Sequence, residues 1–252
     1  MAWNPEKYDE FKLVRFKPFF DLVELIRDKS NMKTLDLGCG TGELTNMLAE
    51  RLQTPTVKGI DSSKEMLEKA APFKNITFEH KTIEEQVDNA ERWDLIFSNA
   101  AIQWVDNHQT LLPKIITNLN KGGQLLVQMP VQDDNLLNQI LLDLVQEEPF
   151  YSALNGWKRV SPLLSMDEYA QILFENGGQD INIFMKVYPI IANTTDELYE
   201  FISGSALVPY LERLDTETKN QLALVFKHRI ALKFKKMPAL YAFKRIIFYA
   251  SF

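Results

Sequence analysis

Apolar residues come in short runs separated by segments with helical spacing, and the alternation is regular through the first 130 positions. Phe19, Val23 and Ile26 share one face of an opening amphipathic helix. Met32 to Leu37 reads as a short buried strand, Glu43 to Leu52 as a helix, Thr56 to Ile60 as a second strand and Ser63 to Ala71 as a second helix. Asn75 to His80 makes a third strand, and Trp93 to Ser98 (WDLIFS) a clear fourth. A helix from Gln109 to Leu119 stops at Lys121-Gly122-Gly123, before a fifth strand from Gln124 to Met129. Strands and helices alternating in this way predict an α/β fold built on a parallel, doubly wound sheet. Such sheets bind ligands beyond the carboxyl ends of their strands.

The order loosens after Pro130. Helices over Asn135 to Gln146 and Met166 to Asn176 lead to a Gly177-Gly178 break and a strand from Ile181 to Tyr188. Residues 194–236 read as helical, and Leu240 to Phe252 as a closing β-rich run. A chain that returns to the sheet after a helical excursion predicts a cap over the binding crevice. The expected organisation is one domain, 1–252, with a cofactor-binding core through residue 130, a cap with an intervening strand over 131–236 and a closing strand over 237–252.

Three of the ten glycines fall within five residues, in Asp36-Leu37-Gly38-Cys39-Gly40-Thr41-Gly42, between the first strand and the first helix of the alternating run. Glycine there lets a ligand approach the backbone and exposes helix N-terminal amides. Asp61 ends the second strand, where a carboxylate can accept both hydroxyls of a ribose. A dinucleotide site would use G-x-G-x-x-G around a pyrophosphate, whereas the spacing here is G-x-G-x-G with Asp36 two residues ahead. Negative charge at that point favours a cationic ligand such as an amino-acid ammonium and disfavours a diphosphate. An adenosyl amino acid without phosphates, S-adenosylmethionine, fits these residues, and NAD fits them poorly.

D-L-G-C-G-T-G followed by G-I-D-S-S (Gly59 to Ser63) resembles the class I S-adenosylmethionine-dependent methyltransferases. W-N-P-x-x-Y at Trp3 to Tyr8, L-I-F-S-N-A-A-I-Q-W at Leu95 to Trp104 and V-Q-M-P at Val127 to Pro130 are similar to the trans-aconitate methyltransferases. That likeness spans essentially the whole chain and is weakest over 130–195. Pro209 to Leu214 also resembles the juvenile hormone acid methyltransferases. The resemblance implies a Rossmann-like, seven-stranded sheet with a helical cap, and methylation of a carboxylate oxygen. It implies that Asp36, Gly38 and Gly40 surround the methionine part of the cofactor, that Arg15 pairs with its carboxylate, and that Asp61 holds the ribose. Ser62 and Met66 then lie near the adenosine, Ile83 against the adenine face, and Asn99 and Ala100 along the methyl-transfer site. Thr82 stands where an acid commonly binds the adenine amino group, so Glu84 or a backbone carbonyl would have to supply that contact.

The fourth strand is followed by Ser98-Asn99-Ala100-Ala101, not by the N-P-P-[YF] turn of many amide and base-amine methyltransferases. A carboxylate acceptor is already ionised at pH 7 and needs no general base, only alignment and exclusion of water. No catalytic residue is therefore singled out. His80, His108 and His228 are far apart, and the single cysteine, Cys39, reads as a small buried residue of the glycine turn. Acceptor recognition would use aromatic walls and cations, with Trp3, Tyr8, Trp104, Tyr210 and Arg245 as candidates; the resemblance implies Arg245, in Phe243-Lys244-Arg245-Ile246, which matches an arginine in the last strands of the trans-aconitate enzymes. Packing is the rival role for Trp104 and Tyr210. Val208 stands where the trans-aconitate pattern is expected to carry an arginine, a change that weakens the case for a tricarboxylate.

Charge adds one feature. Of 28 Lys and Arg against 34 Asp and Glu (net −6), eight cations and no acids fall in the last 34 residues, from Lys219 onward. The acidic body argues against nucleic acid, while the basic, aromatic tail keeps a nucleic-acid-modifying or -binding role open as an alternative. A second alternative is a carrier-bound or fatty acid as acceptor. One cysteine and scattered histidines predict no disulfide framework and no metal site, and no apolar stretch reaches 18 residues. The resulting expectation is a cytoplasmic methyltransferase taking S-adenosylmethionine, releasing S-adenosylhomocysteine and acting on a small-molecule carboxylate.

Overall fold

The structure is a computed structural model that describes residues 16–27, 29–53, 56–70 and 75–252. Helix α1 covers 16–23, and Phe19, Leu22 and Val23 are buried along it. The alternating run then gives β1 (Thr34–Leu37), α2 (Glu43–Leu52), β2 (Val57–Asp61), α3 (Lys64–Leu67), β3 (Ile76–His80), α4 (Ile83–Val87), β4 (Trp93–Asn99), α5 (His108–Thr117) and β5 (Leu119–Pro130). It continues through α6 (Leu136–Leu144), α7 (Phe150–Ala153), α8 (Met166–Glu175), β6 (Gln179–Ala192), α9 (Thr195–Ser203), α10 (Val208–Leu211), α11 (Thr216–Lys233) and β7 (Ala239–Ser251).

The seven strands form one sheet in the order β3-β2-β1-β4-β5-β7-β6, and β3, β2, β1, β4 and β5 pair in parallel. Both faces of the central strands are covered, so they are buried in near-continuous runs and do not alternate. In β4, Trp93, Leu95, Ile96, Phe97 and Ser98 are all buried. The β5–β7 pairing runs the other way. Phe252 bonds with Gly122 and Gly123 at one end of β5, while Val131 N donates to Lys244 O at 3.1 Å at the other. Register falling along one strand as it rises along the other is the signature of an antiparallel pair.

Two elements differ from the expected pattern. The glycines at 122 and 123 do not delay the fifth strand, because Gly122 N and Gly123 O pair with the backbone of Phe252. Opposite them the register jumps, with Trp93 facing Leu119 and Leu95 facing Gln124. Helix α4 was not anticipated, although Thr82-x-x-Glu85 is a capping box: the Thr82 hydroxyl accepts from Glu85 N, and the Glu85 carboxylate accepts from Thr82 N.

The chain divides into two compact units, one of residues 1–129, 162–186 and 245–252, the other of 130–161 and 187–244. The division falls inside β6 and β7. In the second unit, Leu222, Phe226 and Ile230 of α11 are fully buried at a four-residue spacing. Among the described residues, no helix is long and apolar enough to cross a membrane.

Candidate active site

The site is built at the carboxyl ends of β1, β2 and β4, in the first unit. After β1 the chain turns back on β2: Gly38 N and Cys39 N both donate to Ile60 O at 2.9 Å. Gly38 takes φ +79°, and a Cβ there would run into the Cβ of Ala101, so this turn is pressed against the one after β4. Gly40 takes φ +56°, and a Cβ there would meet nothing within 4 Å. One glycine is required by close packing, the other leaves an open backbone face.

Asp61 holds the turn in place. Its Oδ2 accepts from Gly40 N and its Oδ1 from Ser63 N, each at 2.8 Å. The same carboxylate thus ties the glycine turn to the start of α3, a task invisible in the spacing alone. Each oxygen keeps a second lone pair for a ligand hydroxyl. Helix α2 starts behind the turn with Gly42 as its N-cap and no side-chain cap, so its first amides face the turn without a side-chain acceptor.

Asp36 lies at the heart of this end, 4% exposed, with Oδ2 accepting from Thr45 Oγ1 at 2.6 Å. Burial pushes its carboxyl up to about 6; the Thr45 bond opposes that rise and the Asp61 charge adds to it. The acid is therefore largely ionised at pH 7 yet poorly solvated, which favours a cationic ligand. Burial also drives the Cys39 thiol far above its ordinary range, with Asp36 and Asp61 adding to the shift, so it is no nucleophile. Ser62 is exposed, with its carbonyl accepting from His80 Nε2 at 3.0 Å; Met66 is exposed and Ile83 buried. Thr82, placed among the cofactor residues by the resemblance, spends its hydroxyl oxygen capping α4.

The turn after β4 is made differently. Asn99 faces Gln128 across the β4–β5 pair. Ala100 sits at φ +56°, a strained position for a residue with a Cβ, held by its N donating to Gln128 O at 2.9 Å and its O accepting from Gln103 Nε2 at 2.7 Å. Gln128, 1% exposed, donates its side-chain Nε2 to Asn99 Oδ1, and its Oε1 accepts from Arg245 Nη1 at 2.6 Å. Arg245 reaches this turn from β7. His108 braces the turn as a satisfied core histidine: Nε2 meets Ile102 O at 2.9 Å and Nδ1 the hydroxyl of Tyr169 at 2.6 Å, and burial lowers its pKa.

Of the sequence candidates, Asp36, Gly38, Gly40, Asp61, Asn99, Ala100 and Arg245 converge on these two abutting turns. Trp104 follows on a short 3₁₀ turn and is 41% exposed, so it is not a residue of the buried core. Tyr210 is corrected the other way. It is a packed residue of the second unit, 2% exposed, its ring 5.2 Å from Trp157 and its hydroxyl accepting from Arg159 N at 3.1 Å, which leaves little of it to face a ligand. Val208 is 37% exposed. Trp3, Tyr8 and Arg15 lie outside the described residues. Thr45, Gln103 and Gln128 were missed, because nothing local marks a residue whose partner lies on another element.

Comparison with known proteins agrees with this geometry. A model of the methyltransferase domain matches residues 28–181. Trans-aconitate 2-methyltransferase of Deinococcus radiodurans is 38% identical, covering 100% of this chain and 98% of that protein; the enzyme of the same name from Agrobacterium fabrum is 29% identical, covering 94% and 93%. Among solved structures, the YcgJ protein of Bacillus subtilis superposes with a TM-score of 0.60 at 16% identity, over 93% of this chain and 97% of that one. Phosphoethanolamine N-methyltransferase 2 of Haemonchus contortus, bound to phosphomonomethylethanolamine and S-adenosylhomocysteine, gives 0.59 at 18%, over 93% of this chain. This chain spans about half the length of that enzyme, 52%. The glycine turn, the carboxylate closing β2, the 3-2-1-4-5-7-6 sheet and the full-length relatives agree: the chain belongs to the methyltransferase-domain family, and it is a class I S-adenosylmethionine-dependent methyltransferase.

Proposed function

We propose that this methyltransferase forms the methyl ester of a small organic acid with one or more carboxylates. The observation that carries the reading is the donor set at the end of β4, where the Asn99 amide is backed by buried Gln128 and the guanidinium of Arg245. An amide and a guanidinium suit an anion, and a carboxylate acceptor arrives ionised, with no proton to remove. The trans-aconitate 2-methyltransferase relatives support the same acceptor class.

When bound, S-adenosylmethionine supplies a sulfonium methyl, to which an acceptor carboxylate oxygen bonds while the carbon–sulfur pair returns to sulfur. The protein's part is alignment. Gly38 and Gly40 bring the backbone close to the methionine part of the cofactor, and Asp36 faces its ammonium with a poorly solvated charge. Asp61 takes the ribose with the lone pairs that Gly40 and Ser63 leave over, and Met66 and Ile83 flank the adenine. Arg245 neutralises acceptor charge, and the exposed ring of Trp104 supplies an apolar wall. Orienting two reactants in this way is worth several kcal/mol of barrier, on the order of 7–11 in favourable cases.

The test is incubation with methyl-labelled cofactor and a panel of mono-, di- and tricarboxylates. Base-labile label in a small acid is expected. Label found only in base-resistant amine or ring products would overturn the ester reading.

A further inference from the structure

Chemistry fixes which way the two buried amides of the β4 turn point. A guanidinium has donors and no acceptor, so the Gln128 atom 2.6 Å from Arg245 Nη1 must be its oxygen. Its nitrogen then faces Asn99, and the Asn99 atom that receives it must be Oδ1. Asn99 Nδ2 is left as the outer end of the chain, and among the described residues no protein acceptor meets it. Turning Gln128 over would set an amide NH2 against a guanidinium inside a residue that is 1% exposed, a loss of a charge-assisted bond and an unpaired buried donor at once. The backbone reinforces the arrangement, since Gln128 O also holds the strained Ala100 N.

We infer that Gln128 is a positioning residue that transmits the polarity of Arg245 to Asn99, so that Asn99 presents its amide N–H groups, and not its oxygen, to the acceptor. The inference rests on the ester reading in one respect: the acceptor oxygen those N–H groups would hold is the carboxylate oxygen that is not methylated. That bond would leave the other oxygen for the methyl carbon. A cation on the last strand thereby decides, through Gln128, whether a residue at the end of β4 donates or accepts.

Three variants test it. Gln128→Glu keeps an oxygen for Arg245 but offers Asn99 a second oxygen, so the Asn99 amide must turn over. Arg245→Met removes the group that fixes Gln128. Asn99→Asp keeps an acceptor for Gln128 and loses the outward donor, and it serves if Gln128→Glu fails to fold. In 15N-labelled protein saturated with S-adenosylhomocysteine, the Asn99 side-chain amide signals should shift in Gln128→Glu and should also shift or double in Arg245→Met. With the acid that the wild type methylates, Gln128→Glu and Asn99→Asp should each lose roughly a hundredfold in kcat, the order of one oriented donor. S-adenosylhomocysteine affinity should be unchanged. Asn99 signals that stay at their wild-type positions in folded Arg245→Met would overturn the relay, as would a kcat loss matched by an equal loss of S-adenosylhomocysteine affinity. If the amide signals respond but the wild type esterifies no acid, the ester reading falls and the orientation of Asn99 stands.

Discussion

The turns after β1 and β4 abut at Gly38 and Ala101, yet they are made by opposite means. The first works through its backbone. Seven consecutive residues, Asp36 to Gly42, supply the turn, and Asp61, 21 residues from Gly40, pins it with both carboxylate oxygens. The second works through side chains gathered from a distance, with Gln128 29 residues from Asn99 and Arg245 117 residues from Gln128. A backbone site needs glycines at fixed positions and so leaves a local signature. A side-chain site needs only that its members meet in space, and any of several residue types can do that. The difference suits the chemistry: every class I relative must hold the same donor, whereas the acceptor changes from enzyme to enzyme.

Breaking the first turn should have the largest effect. Gly38→Ala forces a Cβ into Ala101 at a φ that L-residues avoid, a cost of about 2–4 kcal/mol. Thermal unfolding should show the lower stability, and calorimetry should show no S-adenosylhomocysteine binding. Tyr169→Phe strikes the brace behind the second turn. It strips His108 Nδ1 and Leu164 N of the hydroxyl that serves both, at about 1–3 kcal/mol, and should lower Tm while leaving cofactor affinity intact.

The smallest effects are those of pH, and the two turns should differ in sign. His108 is buried neutral, with its folded pKa below the ordinary 6.5. The unfolded chain therefore takes the proton that the folded one refuses, so stability is complete above that value and is lost as pH falls below it. Asp36, raised from 3.8 to about 6, does the reverse: the folded protein holds the extra proton, and this contribution is lost as pH rises through 6. A proton on Asp36 competes with a ligand ammonium, so S-adenosylhomocysteine affinity should weaken below pH 6 by calorimetry. Asp36→Asn should flatten that profile.

The same contrast accounts for what could be read from the chain. The parallel half of the sheet and the glycine turn were legible, because burial makes the central strands short, mostly apolar runs and a close ligand demands glycine. Asp61 was legible as a candidate carboxylate closing β2 but not as the clamp on Gly40 and Ser63, since backbone donors carry no sequence mark. Arg245 was reached only through resemblance. Gln128 lay in the quoted V-Q-M-P segment and still went unnoticed, because its role depends on an arginine two strands further along the sequence. Tyr210 misled for the same reason: an aromatic residue reads alike whether it packs on Trp157 or lines a site.

The central claim is that the two turns divide the work, the first holding the donor and the second the acceptor. Calorimetric titration of Asp61→Ala and Arg245→Ala with S-adenosylhomocysteine tests it most directly. Loss of two charge-assisted backbone bonds and the ribose contact should weaken binding in Asp61→Ala by roughly 10- to 100-fold. Arg245→Ala should bind S-adenosylhomocysteine like the wild type, and its defect should appear only in turnover of the acid, as a raised KM and a lowered kcat. Equal weakening in both variants, or wild-type affinity in Asp61→Ala, would contradict the account.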